Sequence, residues 1–305
     1  MKKNYAIYIT GLVLFGSNGI TASFISLSSY EIAFYRSLLG SLVLLSLFVL
    51  GRSKFTALQN KRELAFVMLS GASMGVCWLC MNEAYKQIGV SLTVILTYCG
   101  PVIVMALSPL LFRTRLTSVR IMTFGLVLLG LIMVNSTAIA GGASVIGILC
   151  GLGSACGLAG TQICTKHAPS INGLQNSLIQ MVCAFSTVAI YLVVVHGPSL
   201  TPPGADLPAV LILGIVQTGI SGYFYFSGMS SNLSVQSVAV LGYLEPLTAV
   251  LLSAAILHEM LLPVQIIGAV LVIGGAIASE MLGDVSLHIR PRLRAFAMRI
   301  ASVMR

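Results

Sequence analysis

Apolar runs about as long as a bilayer crossing succeed one another through most of the chain, separated by short polar stretches. A helix needs roughly 20 apolar residues to cross about 30 Å of hydrocarbon. On that ruler the pattern predicts ten crossings: Tyr5–Ser23, Tyr30–Leu50, Glu63–Ala84, Val90–Phe112, Val119–Asn135, Ser144–Cys164, Asn172–Val195, Leu207–Met229, Val235–Leu257 and Pro263–Met281. Most connections are short, so neighbouring crossings should be antiparallel and adjacent. The lysines and apolar run at the N-terminus resemble a leader, but no small-residue cleavage site follows at the right distance. That run is expected to stay as the first crossing.

The apolar pattern also repeats. Tyr98–Leu116 and Tyr243–Leu261 each place a Tyr three residues before a Pro, then a long apolar run, then a charged cluster. The offset is 145 residues, and it also pairs Leu64–Thr97 with Ala209–Gly242 and Leu116–Met133 with Leu261–Ala278. Each half holds an odd number of crossings, so the second should traverse the membrane in the opposite sense. The expected fold class is therefore an all-α integral membrane protein, with ten transmembrane helices in two inverted five-helix repeats. Such repeats are a recurrent architecture of secondary transporters. The expected units are 1–136 and 142–282, followed by a basic tail at 286–305.

Composition strengthens the membrane reading. The chain of 305 residues is 57% hydrophobic and 8% charged, against about 25% charged in soluble domains. The net charge of +9 would fit nucleic acid, but its placement argues otherwise. With the N-terminus inside, every Lys and Arg except Lys86 and Arg36 falls on cytoplasmic segments. That bias predicts both termini in the cytoplasm, basic residues facing anionic lipid, and no nucleic-acid partner. The seven cysteines all sit in apolar runs, where packing explains them better than redox or metal chemistry. In the tail, Ile289, Leu293, Phe296, Ile300 and Val303 recur at helical spacing among arginines. An amphipathic helix on the inner leaflet and an unstructured basic tail both fit.

Ionisable residues inside a bilayer are costly and usually face a cavity or a partner. Glu245 stands near the middle of the ninth crossing, and the following Pro246 leaves a carbonyl one turn upstream without its donor. It can be a substrate or proton site, or a structural acid paired with Arg36. Arg36 can take a substrate carboxylate in its planar fork, or pair with Glu245 or Glu31. Asn18, Trp78, Tyr98, Gln217 and Tyr243 are expected to line a cavity with them, and Pro101 and Pro246 to mark where helices bend. Other buried amides and aromatics, among them Asn82, Gln162, Asn176, Gln180 and Tyr223, fit either lining or helix–helix bonds. The long outer connection His196–Asp206 carries no binding motif.

The glycine-rich Gly147–Gly160 follows no strand and ends in no Gly-Lys-Ser/Thr, which excludes a phosphate loop. His258-Glu259 lacks the second His of a zinc-protease helix. No metal, cofactor or catalytic constellation is expected.

The segments FYRSLLGSLVLL, MNEAYKQIGVSLTVILTYCGPVIVMALSPLLF and SGMSSNLSVQSVAVLGYLEPLTAVLLSAAILHEMLLPVQIIGAVLVIGG resemble the EamA-type transporters of the drug/metabolite transporter superfamily, over about residues 5–282. The resemblance implies ten helices in two inverted repeats, with Arg36, Glu245, Pro246 and Glu259 as pattern positions. The first repeat departs from the pattern, with Thr114 where Glu259 would be. Relatives move small metabolites, often amino acids outward or drugs. The expectation is a secondary transporter in the cytoplasmic membrane, monomeric or homodimeric, that exports an amino acid or related compound by alternating access. Protons are the candidate coupling ion. A translocase for lipid or prenyl-carrier-linked substrates, or less plainly a membrane enzyme acting on them, is the alternative.

Overall fold

The computed structural model describes residues 2–52, 55–112, 118–134, 144–171, 173–197 and 199–256, and 263–264, 266–268, 270–271, 274–275 and 278. The tail 286–305, with Arg113, Thr114, Arg115, His258 and Glu259, lies outside them. The described helices are α1 (Lys2–Gly16), α2 (Asn18–Ser23), α3 (Ser29–Leu50), α4 (Lys61–Thr97), α5 (Gly100–Phe112), α6 (Ser118–Val134), α7 (Val145–Lys166), α8 (Gly173–Tyr191), α9 (Leu207–Leu211), α10 (Ser221–Met229), α11 (Val235–Leu241) and α12 (Leu244–Ile256). A wide, π-helical stretch, Ile212–Ile220, joins α9 to α10. Among the described residues, six helical segments are long and apolar enough to cross a membrane: Lys3–Ala22, Ser29–Leu50, Lys61–Ala84, Val145–Lys166, Gly173–His196 and Gly204–Met229. Their outer faces leave Leu50, Val145 and Val194 exposed, as side chains bathed in lipid would be.

The expected third and fourth crossings appear as one run of helix, α4, of 37 residues. Its contacts show that the run folds back. Descending α7, Gly157 meets Ser73 and Cys77, Gly153 meets Cys80, and Gly147 meets Gln87 and Ile88. Beyond that point the order reverses: Leu96 meets Gly151, and Gly100 meets Ala155 and Leu158. The first arm of α4 is thus antiparallel to α7. The second arm, continued by α5, is parallel to it.

The same bookkeeping gives the direction of the other helices. Tyr8 abuts Gly228 and Gly11 abuts Tyr225, so α1 and α10 are antiparallel. Leu39 meets Gly214 and Val43 meets Gly219, so α3 runs with the π-helical stretch. Gly40 meets Met181 and Phe34 meets Phe185 at 5.5 Å, so α3 and α8 are antiparallel. Gly71 meets Gln180 and Gly75 meets Ala184, so the first arm of α4 runs with α8. Tyr8 reaches Val238 and Gly16 reaches Glu245, so α11 and α12 run with α1.

These directions relate the halves. The 145-residue offset maps α1 to α7, α3 to α8, the first arm of α4 to the π-helical stretch with α10, and α5 to α12. Each runs opposite to its mate. The packing also exchanges: α1 lies on α10 as α7 lies on the first arm of α4. Tyr98 and Tyr243, mates themselves, touch each other with ring centroids 6.0 Å apart. A two-fold relation produces this, with self-paired contacts on its axis.

Polar groups away from the centre act as staples. Gln180 accepts from Ser70 at 2.6 Å and donates to Asn176 at 3.1 Å, while Asn176 donates to the Phe226 carbonyl at 3.0 Å. These two amides bind helices together and do not line a cavity. The Lys166 ammonium donates to the Ser231 and Leu233 carbonyls at 2.9 and 2.7 Å. Glu63 accepts from the Ser170 backbone and hydroxyl at 2.8 and 2.6 Å. Both are short polar bridges between helix ends, where unsatisfied backbone groups attract a charge. Glu31 accepts from the Thr201 and Ser28 backbone N–H groups at 2.8 and 3.1 Å and from the Ser28 hydroxyl. Its oxygens cap α3 and hold the loop at Thr201. That loop is further tied down by Tyr35 donating to the Thr201 carbonyl at 2.8 Å and by Asp206 accepting from Ser26 N–H at 2.7 Å.

Candidate functional site

Three helices are interrupted: at Ser17 between α1 and α2, at Tyr98–Cys99 between α4 and α5, and at Gly242–Tyr243 between α11 and α12. Two of the interruptions follow from proline. Pro101 and Pro246 donate no N–H, so the carbonyls of Thr97 and Gly242, four residues earlier, lose their helical partners. The helices therefore break just upstream of the prolines, at the paired tyrosines. Gly242 recovers a partner, accepting from Glu245 N–H at 3.2 Å. The break at Ser17 has no proline. Its hydroxyl donates to the Leu14 carbonyl at 2.7 Å, competing with the next helical turn.

The interruptions meet around Glu245. An added Cβ on Gly16 would stand 2.5 Å from the Glu245 carbonyl oxygen, so α1 touches α12 backbone to backbone at that point. The Tyr98 hydroxyl donates to the Glu245 carboxyl, and the charge of Arg36 bears on it. Glu245 is half-buried. Tyr243, fully buried, donates to the Tyr98 carbonyl at 3.0 Å. The pair is unsymmetrical because Gly100 occupies the place of Glu245 in the first half. A side chain there would meet the Ala155 carbonyl oxygen at 2.9 Å.

Arg36 stacks on the face of Trp78, 4.9 Å from the ring centroid, and its Nε donates to Thr218 Oγ1 at 3.2 Å. Gln217, beside Thr218 in the π-helical stretch, donates to Ser17 Oγ at 2.9 Å. Asn18 follows Ser17 and has a buried Oδ1 without a partner. Thus Arg36, Trp78, Tyr98, Tyr243 and Glu245 form one network, and Gln217 and Asn18 adjoin it at the α1 interruption. π-Helical turns often mark functional sites, and this one places Thr218 and Gln217 side by side at the network's edge.

The sequence pattern did not single out Tyr8 and Tyr225. Their rings are 5.4 Å apart. Tyr8 also donates to the Val238 carbonyl at 3.1 Å, and Gln162 bonds to Tyr225. A tyrosine near the start of a first crossing reads as a membrane-interface residue. Its distant partner in GYFYFSGM cannot be seen from the sequence. Tyr223, in the same run, has its ring 5.5 Å from that of the adjacent Phe224. Asn82 belongs elsewhere, donating to the Ser29 carbonyl at 3.1 Å. It lines a small pocket with Ser29, Tyr30, Leu79, Glu83, Tyr191 and His196. There the His196 imidazole stacks on Tyr30 at 4.0 Å.

The profile of the EamA-like transporter family matches residues 3–136 and again 145–280, almost the whole chain. The chain belongs to the EamA-like transporter family. A relative, "Uncharacterized transporter YxxF" of Bacillus subtilis (strain 168), is 22% identical over 250 residues, 80% of this chain and 78% of its own. A solved crystal structure superposes with a TM-score of 0.78 at 19% identity, covering 92% of this chain and 98% of that one. At that identity the likeness is one of fold. As an EamA-like protein the chain is a multi-pass membrane transporter.

Proposed function

We propose that this EamA-like transporter is a secondary carrier of ten membrane helices in two inverted five-helix repeats, 1–136 and 142–282, which moves a small metabolite by alternating access. The substrate class is an amino acid or a related compound, and the direction is export. The protein sits in the cytoplasmic membrane with both termini inside, and its basic tail lies against anionic lipid. Arg36 and Glu245 act on the substrate or on each other between Trp78, Tyr98 and Tyr243, and protons couple through Glu245.

The observation that carries this reading is the convergence of interrupted helices on one acid and one base deep in the bundle. Irregular backbone is tolerated at membrane depth where it lines a cavity, and carriers place substrates at such interruptions. The carrier reading is tested by flux. Purified protein is reconstituted into liposomes and loaded with a radiolabelled amino-acid panel, and efflux is followed with and without a pH gradient. Wild type is expected to release a subset of the panel faster under the gradient, and E245Q to lose the gradient's effect. An E245Q variant with unchanged efflux and unchanged response would end the proton assignment. A wild-type protein that releases no amino acid would end the substrate class.

A further inference from the structure

Among the described residues, the buried side-chain atoms without a hydrogen-bond partner are Asn18 Oδ1, Ser41 Oγ, Gln162 Oε1 and Gln217 Oε1. Apart from one hydroxyl these are amide oxygens, so the site's unmet need is for donors. Gln217 is the best defined. Its Nε2 donates to Ser17 Oγ at 2.9 Å and lies 3.4 Å from the Ser17 carbonyl. The Ser17 hydroxyl proton is already given to the Leu14 carbonyl at 2.7 Å. Both Ser17 oxygens are therefore acceptors toward Gln217, and swapping the ends of its amide would set oxygen against oxygen. The Gln217 oxygen must face away from Ser17, in a side chain only 8% exposed.

No neighbouring hydroxyl of that stretch meets the need. Thr218 spends its proton on the Leu213 carbonyl at 2.7 Å and accepts from Arg36, and Ser221 donates to the Gln217 carbonyl. A bare buried acceptor is destabilising because its lost hydration is not replaced. Asn18 repeats the situation one residue beyond Ser17, and the Glu245 backbone carbonyl packs on the same interruption of α1 at Gly16. A surplus of acceptors suits a group that carries several protons.

We infer that Gln217 Oε1 and Asn18 Oδ1, beside Glu245, receive the protonated amino group of the transported solute, so that a free amine is the feature the protein reads. This rests on the carrier reading above and narrows its substrate to compounds with an unblocked amine. N-Acetylation is the matched probe: it removes the charge and leaves a single N–H.

The experiment uses an aqueous extract of small metabolites from the expression host, untreated or exhaustively N-acetylated with acetic anhydride. Wild-type melting temperature is measured in each, and compounds leaving loaded proteoliposomes are identified by mass spectrometry. The untreated extract should raise the melting temperature and the acetylated one should not. Amines should leave at least tenfold faster than their acetylated forms, and Q217L, folded as judged by its own melting curve, should lose that preference. Stabilisation by the untreated extract alone, without efflux, would keep the amine site and remove the carrier reading. Equal response to both extracts, no response to either, or a Q217L variant that retains the preference would overturn the inference.

Discussion

Arg36 occupies a position where its shape matters as much as its charge. Its guanidinium stacks on Trp78 while Nε reaches Thr218. A lysine keeps the charge but has neither the plane nor the Nε donor. R36K is therefore expected to fold and to transport at least tenfold more slowly, read as efflux from proteoliposomes at matched protein content. A hydrogen bond from a charged donor contributes about 1.5–3 kcal/mol, which fits a loss of that order. W78L, which removes the ring and leaves Arg36 its bond to Thr218, should lose less than R36K does. At this scale the sequence was informative where a residue was out of place in lipid. Arg36, Glu245 and the repeated tyrosines stand out against apolar neighbours. Tyr8, Tyr225 and Thr218 do not, because nothing local distinguishes a hydroxyl that meets a partner from another helix. Glu31 was a plausible partner for Arg36 by spacing, but its capping bonds to Ser28 and Thr201 use its oxygens instead.

Helix contacts in this bundle are made through glycine. An added Cβ on Gly71 would lie 2.3 Å from the Gln180 carbonyl oxygen, which is backbone and cannot swing aside. Gly125, on α6, has nothing within 4 Å of the same position. G71A should separate α4 from α8 and destabilise the protein by about 1–3 kcal/mol, the usual cost of overpacking. G125A should leave the melting temperature unchanged within error. Equal melting curves for the two variants would contradict the close packing of α4 on α8. The elements were largely legible from the apolar runs, and the two prolines marked where α5 and α12 begin. The interruption at Ser17 was not legible, since a serine inside an apolar run signals nothing until Gln217 arrives from the other half. Nor was the continuity of α4: its reversal falls between Ile88 and Leu96, a stretch with no proline and a single glycine to mark it.

At the scale of the whole molecule, the proposed orientation predicts which surfaces each compartment touches. In a cysteine-free background, Q59C should react with a membrane-impermeant maleimide only in inside-out vesicles. A205C should react only in right-side-out ones. Both positions are exposed, so labelling from a shared side would contradict the inverted arrangement. The contact between Tyr98 and Tyr243 has a consequence for energetics. If alternating access exchanges the conformations of the halves, the bond from Tyr243 to the Tyr98 carbonyl should give way to its mirror image, from Tyr98 to the Tyr243 carbonyl. The Tyr98 hydroxyl is engaged by Glu245, and Gly100 offers Tyr243 no equivalent acid. The two end states then differ by about one hydrogen bond, roughly 1 kcal/mol, or about a fivefold bias in resting occupancy. Y243F, which leaves the Tyr98 hydroxyl one bond in either state, should remove that bias, visible as a change in the ratio of inward- to outward-facing labelling without substrate. A machine built from two nearly matching halves would in this way acquire a preferred resting pose from the one place where they fail to match.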